Sequence, residues 1–214
     1  VQRGKPADVL PFWVADMDFE IPSELKQVLL DRVNHGIFGY TESDVEYFNV
    51  LKEWFANRFN WNIDKKWLVK TPGVVFALAM AVRAFTKEGE GVLINQPVYY
   101  PFSMVIDDNN RNLINVPLIQ GEDKYTIDFE GVERAIIEHN VTLFLLCNPH
   151  NPVGRVWTED ELKRLGDICI KYNVIIISDE IHADFVWDGH KHTVFADLGE
   201  SYAEHCIVCT APSK

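Results

Sequence analysis

Apolar residues recur along this chain with two different periods, and the alternation between them predicts its architecture. Runs of continuous β-branched or aliphatic residues stand at Gly91–Asn95, around Leu113 to Leu118, at Thr142–Cys147, at Val174–Ile177 and at Ile207–Thr210. Such runs read as strands buried on both faces, the kind found in parallel sheets. Between them the period lengthens to that of helices. Thr71-Pro72-Gly73 leads into a helix over 74–85, and another is predicted from about Phe102. Asp128 caps a third that runs to about His139. Thr158-Glu159-Asp160-Glu161 forms a capping box opening a fourth, with Leu162, Leu165 and Ile168 inward. A hairpin is expected around Asp188-Gly189. Strand alternating with helix implies a largely parallel sheet with helices on both faces, an α/β fold.

The first sixty residues follow a different pattern. Pro11 to Phe19 has neither period and is expected to be an extended, docked segment. Ser23 is the expected N-cap of a helix carrying Leu25, Val28, Leu29 and Val33 on one face. After Gly36-Ile37-Phe38-Gly39-Tyr40-Thr41 comes a second helix, from about Asp44 to Phe59, burying Phe48, Leu51 and Phe55. The expected division is therefore 1–60, an N-terminal segment and helices forming part of a small lobe and dimer contact, and 61–214, a large domain.

Composition narrows the function classes. The 214 residues carry 20 basic and 32 acidic side chains, a formal charge of −12. That argues against nucleic-acid surfaces and anionic membranes, which need basic patches. No apolar run approaches the roughly 20 residues of a membrane span, and the first residues lack a signal peptide's apolar core. A cytoplasmic protein is expected. Four cysteines do not make a disulfide scaffold; Cys147 and Cys169 read as core thiols. Cys206-Ile207-Val208-Cys209 lies inside a strand-like run, where neither a redox motif nor a zinc pair belongs.

The chemistry-bearing residues gather just beyond strands. Val174-Ile175-Ile176-Ile177-Ser178 ends abruptly in Asp179 and Glu180, with His182 close behind. Ligands of open α/β sheets bind beyond the carboxyl ends of the strands. Tyr99-Tyr100, Asn151, and Ser213-Lys214 follow three other strands. Together they offer an aromatic plate, an amide, a carboxylate, an imidazole and an amine, all of which a planar heteroaromatic ligand could use. Gly73-Val74-Val75 adds backbone amides at a helix start, suited to an anion. Asp179 read alone is equally a turn cap paired with a structural cation. His182, His190 and His192 with Glu180 are alternatively a metal cluster, but His190-Lys191-His192 beside Gly189 favours solvated histidines, and no metal is assigned.

Asn151-Pro152-Val153-Gly154, then Ser178-Asp179-Glu180-Ile181-His182, then Ser213-Lys214 resemble, in order and spacing, the fold-type I pyridoxal-phosphate enzymes of aminotransferase class I/II. Trp13-Val14-Ala15-Asp16-Met17-Asp18-Phe19, with Gly189, His190 and His192 after the Asp-Glu-Ile-His ending, resembles the branch of cystathionine β-lyases and C–S lyases. The resemblance covers essentially the whole chain and implies the pyridoxal-phosphate-dependent transferase fold with pyridoxal 5′-phosphate as cofactor. It gives Lys214 the Schiff base, Asp179 the pyridine nitrogen and Tyr99 the ring face. Asn151 and His182 match positions near the 3-oxygen, while Gly73, Val74 and Val75 match the phosphate cradle. Tyr40 resembles a tyrosine reaching the neighbouring subunit's phosphate, which implies a homodimer.

Ala211 stands where many relatives have a phosphate-binding serine, so that contact falls to Ser213 or elsewhere. Relatives continue beyond the lysine into a small domain that supplies a substrate-binding arginine; the sequence is expected to be the front part of such an enzyme. The implied activity is β-elimination on cystathionine or a cysteine conjugate, an amino acid with a sulfur leaving group, giving pyruvate, ammonia and a thiol. In it the Lys214 amine removes the Cα proton. Transamination is the alternative. A cofactor-binding regulatory domain without turnover is the alternative of another class.

Overall fold

The computed structural model describes Pro6, Asp8, Val9 and residues 19–214. The tryptophan-to-aspartate part of the opening motif, Trp13 to Asp18, and the expected extended segment around it lie outside the described residues. The chain forms two compact units, Val1–Asp44 and Val45–Lys214. The division groups the second predicted helix with the sheet.

In the first unit, α1 spans Ser23–His35 and closes on Gly36, whose φ of +73° is the left-handed conformation glycine tolerates. Pro22, not Ser23, is the N-cap. Ser23 is the first helical residue, and its hydroxyl donates to Glu24 at 3.0 Å. The apolar stripe is present, but none of it is buried: Leu25, Val28, Leu29 and Val33 are all exposed.

The second unit begins with α2, Val45–Phe59, in which Phe48 is buried and Leu51 and Phe55 are half-buried. After a 3₁₀ turn at Lys65–Trp67 come α3 (Val74–Phe85), β1 (Gly91–Ile94), α4 (Pro101–Asp107) and β2 (Asn112–Asn115). A small antiparallel hairpin follows, β3 (Ile119–Gln120) with β4 (Tyr125–Thr126). Then come α5 (Phe129–His139), β5 (Leu143–Cys147), α6 (Glu159–Lys171), β6 (Ile175–Asp179), α7 (Glu200–Ala203) and β7 (Cys206–Cys209). The strand expected to reach Leu118 stops at Asn115, and the chain turns into β3 instead. No strand forms among the described residues around Asp188-Gly189. That stretch is a turn, because its backbone finds no antiparallel partner and closes locally, His190 N–H donating to the Trp187 carbonyl at 3.1 Å.

β2, β1, β5, β6 and β7 form one sheet in that order, every pair parallel. Strand alternation divides its side chains between two cores. Leu93, Phe144, Leu146 and Ile176 pack with α5 and α6 residues such as Val132, Ile136, Leu162 and Leu165. Val92, Ile94, Leu143, Leu145, Cys147, Ile177 and Cys209 pack with α3 and α4 through Val74, Leu78, Val82, Phe102 and Ile106. Both faces are covered over the central strands β1, β5 and β6, which is why these read as apolar runs. Cys206 and Cys209 fall in opposite cores, so the C-x-x-C cannot act as a pair.

Local signals start the helices where expected. Thr158 and Glu161 make the reciprocal capping box at α6, and the Asp128 carboxylate accepts the Gly131 N–H at α5. Mid-helix Gly166 is a packing requirement: a Cβ there would stand 2.6 Å from Tyr202 Cδ1 and 3.2 Å from Phe195 Cζ. Tyr202 cannot swing away cheaply, since its hydroxyl donates to Asp167 at 2.7 Å. Gly166→Ala is therefore expected to destabilise the protein by about 1–2 kcal/mol although alanine is the better helix former. Urea unfolding tests this, and a gain in stability would contradict it.

Candidate active site

The strand order has a reversal. From β1 the chain steps outward to β2, then returns to β5 on the other side of β1 and steps outward again to β6 and β7. The crevice beyond β1 and β5 is the topological switch point, where open α/β sheets bind ligands. Because the strands are parallel, the loops after β1, β5, β6 and β7 all leave the sheet along this one edge.

The loop after β1 is pinned to its neighbour. Asn95 is buried and donates to the Val116 carbonyl at 2.8 Å, and Gln96 N–H donates to Asn115 Oδ1 at 3.0 Å. Tyr99 and Tyr100 then open α4, with Pro101 at the first helical position, where a missing N–H costs nothing. The two tyrosine rings lie 5.2 Å apart, tilted by 59°.

The loop after β5 is braced from below. Trp157 Nε1 donates to the Cys147 carbonyl at 3.0 Å, and the Arg155 guanidinium pairs with Glu161 at 2.7 Å while lying over the Trp157 ring. His150 is buried and donates from Nε2 to the Pro97 carbonyl at 3.0 Å, tying this loop to the one after β1. Asn151 follows, half-buried, its N–H directed at the Cys147 sulfur at 3.4 Å. Burial holds the His150 imidazole below its ordinary pKa, so it stays neutral, with the hydrogen on Nε2.

Asp179 ends β6 in register between Cys147 and Cys209, and all three side chains point to the α3/α4 face. It is only 6% exposed. Among the described residues its carboxylate accepts one hydrogen bond, from Ile181 N–H at 3.2 Å, and no cation pairs with it. Burial lifts its pKa to about 6, the Glu180 charge adds to the rise, and the Ile181 N–H and the Lys214 ammonium oppose it. The flanking thiols of Cys147 and Cys209 are pushed up to about 12 by burial and by Asp179. They are neutral walls rather than nucleophiles.

Three further predicted residues lie within electrostatic reach of Asp179 or of one another. Tyr99 is raised above the ordinary phenol value, by burial first and then by Tyr100 and Asp179. His182 is lowered, by burial first and then by the Lys214 charge. Lys214 and Ser213 are exposed beyond β7. Gly73 caps α3 with extended backbone and no side-chain cap, so among the described residues the first N–H groups of the helix have no acceptor, and a Cβ on Gly73 would meet nothing within 4 Å. Val74 is buried and Val75 exposed. Tyr40 belongs to the first unit and is fully exposed.

The sequence reading misjudged one residue here. His192, expected to be solvated, is 5% exposed and bonds through Nε2 to the buried Glu180 carboxylate at 2.8 Å. His190 is exposed as expected. Among the described residues, no group of three or more His, Cys, Asp or Glu is placed to hold a metal ion. Sequence reasoning gave no role to Asn148 or His150, both buried in the loop after β5. The two residues flank Pro149 in a stretch that reads only as a loop, and their partners, Thr193 and Pro97, lie 45 and 53 residues away along the chain.

The donor set fits a pyridoxal phosphate. A buried carboxylate lacking a cation suits a protonated ring nitrogen, and free amides at the start of α3 suit a phosphate. Cystathionine β-lyase PatB of Bacillus subtilis is 45% identical over 207 residues, which cover 97% of this chain and 54% of that protein. The crystal structure of cystalysin from Treponema denticola, which contains a pyridoxal 5′-phosphate cofactor, superposes with a TM-score of 0.92 at 43% identity, covering 97% of this chain and 53% of that one. The PLP-bound C–S lyase of Staphylococcus hominis superposes at 0.88 and 35% identity, covering 94% and 52%. The chain thus spans about half the length of the relatives it matches. Residues 7–214 match the family model of aminotransferase class I and II, and with these relatives and the parallel sheet they establish that the chain belongs to that family and has its fold.

Proposed function

We propose that the protein binds pyridoxal 5′-phosphate at the switch point and catalyses β-elimination on amino acids carrying a sulfur leaving group on Cβ. Cystathionine or a cysteine S-conjugate would yield pyruvate, ammonia and a thiol. The observation that carries this reading is Asp179: a buried, unpaired carboxylate at the strand-end rim, within reach of the Lys214 charge. The names of the relatives favour elimination over transamination and over a regulatory domain without turnover.

When bound, the cofactor supplies an electron-withdrawing ring that stabilises negative charge at the substrate Cα. Asp179 would accept the hydrogen of the ring nitrogen and keep that nitrogen protonated. Tyr99 covers one ring face. Asn151 and His182 would hold the cofactor near its 3-oxygen, and the amides of Gly73, Val74 and Val75, with Ser213, would hold the phosphate. Lys214 would hold the cofactor through its side-chain amine, and the same amine would serve as the general base for the substrate Cα proton. Tyr40 would reach the phosphate of a neighbouring subunit, making the working unit a homodimer with shared sites. Four free cysteines support a reducing, cytoplasmic setting. No helix among the described residues is long and apolar enough to cross a membrane.

The test is a visible spectrum of the purified protein with pyridoxal phosphate, then borohydride and peptide mapping. A cofactor-dependent band fixed covalently on Lys214 is expected. Cystathionine should then release pyruvate without needing a 2-oxo acid. A protein with no cofactor-dependent band ends the proposal, whereas turnover only in the presence of a 2-oxo acid replaces lyase by aminotransferase.

A further inference from the structure

Glu180 follows Asp179 directly, yet the pleat sends the two carboxylates to opposite sides of the sheet. Asp179 faces the α3/α4 core with Cys147 and Cys209. Glu180 turns to the other side, where Ser178 Oγ donates to its Oε1 at 2.8 Å and Phe195 N–H donates to the same oxygen at 2.9 Å. His192 Nε2 bonds to Oε2 at 2.8 Å, and both side chains of this pair are 2% exposed. His192 and Phe195 sit on the returning limb of the segment that leaves β6. A third bond fastens that limb: Asn148, fully buried, donates from Nδ2 to the Thr193 carbonyl at 3.1 Å.

The outgoing limb starts from the same residue. Glu180 N–H donates to the Cys209 carbonyl at 2.8 Å, and its own carbonyl accepts from Ala183 N–H at 3.0 Å. His182 lies inside that turn, and its carbonyl accepts from Phe185 N–H at 2.9 Å. The segment thus leaves from the Glu180 backbone and returns to the Glu180 side chain, a closed loop with His182 in its first turn. Its far part is a surface: Trp187 is 87% exposed, and Asp184 pairs with Arg58 across solvent-facing side chains. A buried carboxylate is an expensive way to close a surface loop when an apolar side chain would bury at no such cost. What it adds is direction, since three donors must converge on two oxygens.

We propose that Glu180 and His192 are a positioning pair, whose buried hydrogen bond closes the 180–195 segment and thereby sets where His182 stands relative to Asp179. The consequence for catalysis rests on the reading of those two residues as cofactor contacts; the closure itself does not. His192→Phe keeps the ring but removes the donor, and His192→Gln restores an N–H near the position of Nε2. Hydrogen exchange of the cofactor-free protein is the first readout. H192F is expected to speed exchange of the 181–191 amides by about tenfold or more while α5 and α6 change little, with H192Q close to wild type.

The His182 titration, followed by NMR, is the second: its lowered midpoint should move up towards the ordinary histidine value in H192F and stay low in H192Q. If H192F does not fold, Glu180→Gln gives the same comparison, since it keeps an acceptor for Ser178 and Phe195 but loses the charge facing His192. Unchanged exchange in H192F and E180Q overturns the proposal, as does a rise of equal size in every segment. A wild type that takes up no cofactor while H192F opens the segment removes the functional reading and leaves the pair standing.

Discussion

Lys214→Ala should leave the protein folded and able to hold pyridoxal phosphate only reversibly, with elimination slowed by about 10³-fold or more. The size follows from two losses at once: the covalent hold on the cofactor, and the base at Cα, worth about 10²–10⁴ alone. Folding should be spared because the Lys214 side chain is exposed and makes no ion pair among the described residues. Pyruvate release from cystathionine, with borohydride fixation as the parallel readout, measures both. Added methylamine should recover part of the rate by supplying an amine to the vacated space. Wild-type turnover in K214A would remove Lys214 from the mechanism altogether.

Asp179→Asn should push stability and activity in opposite directions. In the cofactor-free protein Asp179 titrates at about 6 against an ordinary 3.8, so between those values the folded chain holds a proton that the unfolded chain has released. Stability therefore falls as pH rises through that window, and the penalty is complete above it. A midpoint raised that far corresponds to about 3 kcal/mol at most. Asparagine carries no charge to bury and can still accept from Ile181 N–H. D179N should thus melt higher than wild type at pH 7, with the difference fading as pH approaches 4. Turnover should fall by about 10²–10³-fold, the loss expected when a buried charged contact is removed. A variant less stable than wild type at pH 7 would show that Asp179 already has a cationic partner. A variant of unchanged activity would show that the ring nitrogen does not need it.

The two effects together describe a strained site. A carboxylate between two neutral thiols, at the end of a strand buried on both faces, stays ionised at a cost that a protonated ring nitrogen would offset. The Lys214 ammonium offsets part of it in the absence of a ligand. That arrangement fits a site whose cofactor contributes to folding stability, so binding should also raise the melting temperature.

Much of this was legible in the order of residues. Apolar runs marked the three central strands most clearly, because β1, β5 and β6 are covered on both faces and have almost no exposed side to show, whereas the edge strands β2 and β7 are only partly buried. Capping at Asp128 and Thr158 marked helix starts, because those contacts are made within four residues. Asp179, Asn151, Tyr99 and Lys214 stood out because each stands at or just beyond the carboxyl end of a strand. The misses share a different cause. Ser23 reads as a cap, but the cap falls one residue earlier, on a Pro22 that makes no side-chain bond. The β3/β4 hairpin is only two residues per strand, too short for alternation to register.

The sequence alone indicated the kind of sheet, the strand-end rim where the candidate residues gather, and the family its motifs resemble. All of these are written in local periodicity and in the ordered spacing of short motifs. Tertiary structure alone decided what the neighbouring carboxylates do. Asp179 and Glu180 are adjacent and chemically alike, and no local pattern separates them. The pleat gives one to the α3/α4 face and the other to a buried contact with His192, twelve residues on, which is reached only because the chain turns back on itself. Which oxygen finds which donor, and which charge goes unpaired, depends on distances that close through space.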